Sequence, residues 1–273
     1  MLEPGINLHF QKNYPCVLAI GGHDPCSGAG IIADSQSLLA LKAWPLTLIT
    51  AMTSQNTHQV DKVYPQDANA FAEQLDTLTK DVTPSAIKLG VLGSLAIQEV
   101  IAEWLKRNPS IPVIIDPVIS STSGQSFLNH DQLEHFLRHL LPLASVLTPN
   151  LPELELLAPQ PKSTEQKAKA LIQQGCKAVL VTGTHADTQA VRNQLYLSLS
   201  ASVIISRWPR LPHEYHGSGC TLAAALAALM ARGESLEIAS NLAQDFTWHS
   251  LKQALQLSEG QHLPLRIKDI QNA

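Results

Sequence analysis

Val17-Leu18-Ala19-Ile20-Gly21-Gly22-His23-Asp24-Pro25-Cys26-Ser27-Gly28-Ala29-Gly30 is the stretch on which the fold turns. Its first residues form a short apolar run without alternation, as expected of a strand buried on both faces. A glycine-rich bend follows, and then residues 31–41 take up a helical period. The same unit recurs down the chain. Further strands are predicted over 46–52, 86–92, 113–116, 145–147 and 178–182. Helices are predicted over 68–80, 95–107, 131–140 and 165–174. Strand alternating with helix requires crossover connections, which are right-handed and build a mostly parallel sheet with helices on both faces. Residues 194–199 and 203–207 read as an antiparallel hairpin, and helices over 221–232 and 236–257 close the domain. No repeat or linker divides the chain. The reading is an α/β fold with an extension at 1–15, one domain over 16–260 and a tail at 261–273.

Parallel sheets bind ligands beyond the carboxyl ends of their strands. The unusual residues fall there: Gly21 to Asp24 after the first strand, Thr53 to Thr57 after the second, Asp116-Pro117 after the fourth and Thr148 to Asn150 after the fifth. Composition narrows the ligand. The net charge of −4 offers no basic surface for nucleic acid. The longest apolar run, about residues 220–231, is shorter than the roughly 20 residues a membrane helix needs. Aromatics are 5% of residues, so the core is aliphatic. Cys16, Cys26, Cys176 and Cys220 form no C-x-x-C pair, and the amino-terminal residues lack the basic and apolar regions of a secretory signal. Reduced thiols and a cytoplasmic location are expected.

Two glycine-rich turns compete as ligand cradles. Gly28-Ala29-Gly30-Ile31-Ile32-Ala33 fits the dinucleotide pattern G-x-G-x-x-A, but residues 49–53 carry no acid where that motif needs one. A bend without any ligand is the plainer alternative. No G-x-x-x-x-G-K-[ST] is present, which excludes a P-loop. In its place His216-Gly217-Ser218-Gly219-Cys220-Thr221 runs into Leu222-Ala223-Ala224-Ala225-Leu226, a strong helix former. Backbone N–H groups and the helix dipole at such a start favour an anion, and would suit a transferring phosphoryl group. The same setting is expected to lower the pKa of the Cys220 thiol. A plain helix start with a buried cysteine is the competing reading.

Several blocks together resemble the hydroxymethylpyrimidine/phosphomethylpyrimidine kinases of thiamine biosynthesis, in the ribokinase-like group. Gly217-Ser218-Gly219-Cys220-Thr221 is similar to their G-T-G-C-T, where most other ribokinase-like relatives place Asp at the Cys220 position. The stretch from Gly22 to Asp34 resembles G-S-D-P-S-G-G-A-G-I-x-A-D, and Thr50 to Thr57 resembles T-A-L-V-A-Q-N-T. Lys88 to Leu92 resembles K-I-G-M-L, Asp116 to Val118 resembles D-P-V, and Leu147 to Glu153 resembles L-T-P-N-L-P-E. The blocks keep family order from about residue 17 to residue 257.

The resemblance implies a ribokinase-like homodimer using ATP and Mg²⁺. Gly22, Asp34, Gln55, Val91 and Val118 would surround an aminopyrimidine. Asn150, Glu153, Thr182 and Ser218 would meet nucleotide and phosphate, and Asp116 and Glu153 would organise the metal. Cys220 would take the substrate hydroxyl proton, with Gly217 and Gly219 shaping the anion hole. Hard oxygen ligands suit Mg²⁺, and an amide can both donate and accept at a ring edge. The chain departs from the family at Thr182-Gly183-Thr184-His185, which lacks the usual lysine, at Leu211 to Tyr215, and at Gln261-His262-Leu263-Pro264. Two alternatives stay open: a pyridoxal kinase, which shares the scaffold and also phosphorylates a hydroxymethyl group on a heteroaromatic ring, and a kinase-like binding protein without turnover, which the departures at Thr182 and Leu211 to Tyr215 suggest. His23, His185, His213 and His216 lack metal-ligand spacing, although His216 stands beside the anion hole.

Overall fold

A computed structural model describes residues 14–120, 124, 126–160, 162–186, 188–200 and 202–267. The strands are β1 (Cys16–His23), β2 (Trp44–Gln55), β3 (Val60–Pro65), β4 (Ala86–Leu89), β5 (Val113–Ile115), β6 (Val146–Leu147), β7 (Ala178–Val181), β8 (Ala190–Leu197) and β9 (Val203–Pro209). They form one sheet in the order β3-β2-β1-β4-β5-β6-β7-β8-β9. Pairings from β2 through β7 are parallel, while β2–β3, β7–β8 and β8–β9 are antiparallel. The chain leaves β1 toward β2 and returns on its other side as β4. That reversal opens a crevice at the carboxyl ends of β1 and β4, the place where such sheets bind ligands.

Alternation along β1 divides the core. Leu18 and Ile20 face a layer that includes Phe71 and Leu75 of α2 (Ala68–Asp81) and Ile97 and Ile101 of α3 (Leu95–Arg107). The same layer takes in α4 (His130–His135), α5 (Leu151–Leu157) and α6 (Thr164–Gln173) through residues such as Leu133, Leu154 and Leu171. Val17 and Ala19 face the opposite layer, built from α1 (Gly30–Ala40), α7 (Ser218–Ala231) and α8 (Leu236–Lys252). Every residue of α7 from Cys220 to Leu229 is buried. Its run of alanines lets this central helix lie close to its neighbours, and a helix apolar on all sides must be enclosed.

Several boundaries differ from the sequence reading. β2 continues to Gln55 because β3 pairs with its outer half; β3 is absent from the sequence reading, since four of its six residues are exposed. Thr53, Ser54 and Gln55 therefore sit in a strand, not in a loop. The turn at 56–59 is closed by Asn56, whose side chain accepts from the N–H groups of His58 and Gln59. Helix 131–140 becomes α4 followed by a π turn at Phe136–Leu140. α5 is an added short helix. α8 stops at Lys252, and the chain folds back through a Leu255–Leu263 bridge. Residues 261–267, read as the start of a tail, are bound into the domain by Tyr215–His262 pairing and by Arg266. The cysteines carry free thiols, and no helix among the described residues is long and apolar enough to cross a membrane.

Candidate active site

The crevice is floored by the start of α7. Gly217 caps this helix with φ +83°, and a Cβ there would overlap the carbonyl of Gly28. Only glycine permits both the left-handed backbone and that approach. The glycine-rich bend after β1 and the helix start are thus pressed together, with Gly219 beside the carboxylate of Asp116. Asp116 follows β5 and is buried; its neighbour Val118, half-buried, donates its N–H to the Asp116 carbonyl in a tight turn. Gly22, next to last in β1, lies against Val91, which follows β4.

Asn150 and Glu153 follow β6. Each side chain accepts from the other's backbone N–H at 2.9 Å, a capping box that starts α5. Asn150 also bridges Thr182 at the end of β7. Gly217, Ser218, Gly219 and Cys220 are thereby gathered with Asp116 on the floor, while Asn150, Glu153 and Thr182 stand together where β6 and β7 end. Asp34 is placed differently from its expected contact with a ring. It is fully buried, with Oδ2 2.9 Å from Lys88 Nζ, itself fully buried. Its Oδ1 has no partner among the described residues.

The buried charges act on one another. Burial opposes the Lys88 ammonium, but Asp34, Cys220 and Asp116 hold its pKa above the ordinary lysine value. Lys88 is therefore a fixed cation under the site. Burial raises the pKa of Asp116, against the pull of Lys88 and of its contact with the Cys220 thiol. Burial and the charge of Asp116 push Glu153 up to about 8. The thiol expectation is corrected: burial pushes Cys220 up to about 12, with Asp116 and Asp34 adding to it, while Lys88 and the Gly30 backbone N–H work the other way. Desolvation and two carboxylates outweigh the helix start here.

A buried cation, two buried carboxylates and a thiol at a glycine-bounded helix start suit charge stabilisation during phosphoryl transfer. The family model for phosphomethylpyrimidine kinase matches residues 24–266. The chain belongs to the phosphomethylpyrimidine kinase family. It is similar to the hydroxymethylpyrimidine/phosphomethylpyrimidine kinase of Salmonella typhimurium, at 37% identity over 249 residues covering 89% of this chain and 93% of that protein. It is 36% identical over 254 residues to the thiamine biosynthesis multifunctional protein ThiED of Corynebacterium efficiens, covering 90% of this chain but only 34% of that longer protein. The structure of pyridoxal kinase from Staphylococcus aureus in complex with pyridoxal superposes with a TM-score of 0.82 at 26% identity, covering 93% of each chain. The ribokinase-like fold and the phosphotransferase class follow.

Three features of this kinase escaped the sequence reading. Lys88 carries no role in the family resemblance, although a lysine inside the apolar run Ala86-Ile87-Lys88-Leu89 is itself a signal of a buried ion pair. His216 was set aside with the other histidines. Its Nε2 lies 2.9 Å from Asp24 Oδ2 and 3.3 Å from the Gln55 amide. Arg266, 3% exposed, donates to Thr221 Oγ1 in α7, to the Ser27 and Gly28 carbonyls and to Gln36 Oε1. No sequence signal marks Arg266, because its partners, two backbone carbonyls and the side chains of Thr221 and Gln36, lie far away in the chain.

Proposed function

We propose that this kinase transfers the γ-phosphoryl group of ATP to the hydroxymethyl oxygen of 4-amino-5-hydroxymethyl-2-methylpyrimidine, and then phosphorylates the monophosphate to the diphosphate, in thiamine biosynthesis. The observation that carries the reading is Cys220 at the glycine start of α7, beside Asp116 and above Lys88. As the new O–P bond forms and the bond from the γ-phosphorus to the ADP oxygen breaks, the hydroxyl proton passes to the Cys220 thiolate, the minor form of a thiol with a pKa near 12, and ADP leaves. The N–H groups at Gly219 and Cys220 and the charge of Lys88 support the phosphoryl oxygens. Gly22, Gln55, Val91 and Val118 line the ring site, and Asp34 serves it indirectly by holding Lys88. Asn150, Thr182 and Ser218 meet the nucleotide phosphates.

Asp116 and Glu153 fit Mg²⁺. They are buried carboxylates, and the charge of one raises the pKa of the other, a strain that a dication relieves. Two carboxylates completed by water and phosphate oxygens are the usual surroundings of this ion. Bound there, Mg²⁺ would neutralise phosphate charge. A homodimer working in the cytoplasm completes the proposal.

The test is ATP consumption with three acceptors: the aminopyrimidine alcohol, its monophosphate and pyridoxal. Turnover of the alcohol well above pyridoxal is expected. Preference for pyridoxal would assign a pyridoxal kinase, and tight binding without turnover would leave a binding protein. The monophosphate brings a second dianion beside ATP, and like charges repel strongly unless cations offset them. The segment 119–126 has hydroxyls but no Lys or Arg, and its residues 121–123 and 125 lie outside the described residues. The second transfer is expected to be slower and to demand more Mg²⁺.

A further inference from the structure

The half-buried amide of Gln55 does not stand alone at the end of β2. His216 Nε2 approaches it at 3.3 Å and approaches Asp24 Oδ2 at 2.9 Å. Asp24 is buried and also accepts from the N–H groups of Cys26 and Ala29, each at 2.8 Å. Burial works against its ionisation, but His216 and those two amides outweigh it and lower its pKa. A carboxylate can only accept, so the nitrogen that faces it carries the hydrogen. With Nε2 acting as donor, the amide end turned toward it must be the Gln55 oxygen. The two ends of an amide have the same shape, and the network decides between them. Oε1 then shares the Nε2–H with Asp24, and the NH₂ is the end turned away from the imidazole.

The imidazole is held in place for this. A Cβ on Gly28 would overlap its Cδ2, so glycine leaves the ring its room. The His216 N–H donates to the His262 carbonyl at 3.0 Å, which ties the backbone to the returning carboxyl-terminal segment. Ring, carboxylate and amide come from α7's approach, the bend after β1 and the end of β2, three separate segments of the chain.

We propose that His216, held by Asp24, is a positioning residue that orients the Gln55 amide so that its NH₂ end is presented to an acceptor nitrogen of the heteroaromatic substrate. The inference rests on the proposed reading of Gln55 as the residue that meets the ring. His216 thereby selects among ring substrates without touching them, and a carbon in place of that ring nitrogen would leave the NH₂ unpaired.

The test combines four variants with steady-state kinetics. His216→Phe keeps a ring in the space beside Gly28 and removes the donor. Its KM for the aminopyrimidine should rise about tenfold, while kcat and the KM for ATP stay within about twofold, as uniform binding loss requires. His216→Gln places an amide nitrogen near the position of Nε2 and should restore the wild-type KM. Gln55→Ala should raise the same KM, and the double variant Gln55→Ala with His216→Phe should be no worse than Gln55→Ala alone, because one residue acts through the other. Multiplying effects in the double variant, or His216→Gln as impaired as His216→Phe, would overturn the inference and leave the Gln55 reading intact. An unchanged KM in Gln55→Ala would remove that reading and the inference with it. Independently of kinetics, long-range ¹H–¹⁵N spectra of ¹⁵N-histidine protein, assigned by comparison with His216→Gln, should show His216 protonated at Nε2; a bare Nε2 overturns the proposal even if a variant folds poorly.

Discussion

The Cys220 sulfur receives the Gly30 N–H and the field of Lys88, yet burial and the neighbouring carboxylates keep its pKa near 12. If the thiolate accepts the substrate proton, its fraction grows tenfold for each unit that pH rises toward that pKa. Wild-type turnover should therefore climb with pH across the neutral and mildly alkaline range. Cys220→Ala should lower turnover by about 10² or more, the scale of general-base loss, and flatten that climb while ATP binding persists. Undiminished turnover would assign the proton elsewhere. Glu153 gives a stability counterpart. Its folded pKa of about 8 lies above the ordinary 4.5, so the folded protein binds the extra proton. The stability it contributes is complete below about pH 4.5 and is lost as pH rises through 8. Glu153→Gln keeps the capping box and removes the charge. Its Tm at pH 8 without divalent ions should exceed wild type by about 2–4 °C or more, with the gap closing toward pH 5. Saturating Mg²⁺ should stabilise only the wild type.

At the scale of elements, α7 begins without any side-chain cap, and its position depends on backbone contact with the bend after β1. Two glycines separate conformation from contact. Gly217 and Gly233 both have positive φ, but a Cβ on Gly233 meets nothing within 4 Å. Gly233→Ala should cost only the left-handed penalty, about 1 kcal/mol, with kcat unchanged. Gly217→Ala carries that penalty and the collision with Gly28, so Tm should fall further and kcat by about 10² as the anion hole opens. Equal effects of the two substitutions on kcat would mean that the contact does not shape the site. These elements also show what a sequence discloses. The alanine run of α7 and the glycines before it announce a buried helix with a tight start, because period and backbone freedom are local properties. β3 does not announce itself, because Val60–Pro65 is an edge strand paired with β2 and four of its six residues are exposed. Asn150 and Glu153 lie in a block that resembles the family, yet the helix their capping box starts is shorter than periodicity can resolve.

Across the whole molecule, strand order makes one site from segments nearly the full chain apart. The parallel alternation and its carboxyl-end ligand crevice were legible because they follow from the order of apolar runs. What closes the crevice was not, since it depends on distant pairings such as His216 with Asp24 and on the returning carboxyl-terminal segment. Arg266 is the clearest instance. The stretch that holds it looked like a tail, yet its guanidinium spans α7 through Thr221 at 2.8 Å, α1 through Gln36 at 3.0 Å, and the glycine-rich bend through the carbonyls of Ser27 and Gly28. Desolvation draws its pKa down to about 10, against the pull of Cys220, Asp34 and Asp24, so the cation survives at neutral pH. Arg266→Met fills much of the same volume but leaves those buried acceptors without donors, at about 1–3 kcal/mol for each group left unpaired. Arg266→Lys restores charge but has no planar fork to reach three segments at once. Both variants should therefore lose about 3 kcal/mol or more in urea unfolding, with lysine recovering only a small part. A variant of either kind within about 0.5 kcal/mol of wild type would show that the bend and α7 hold together without the carboxyl-terminal clamp.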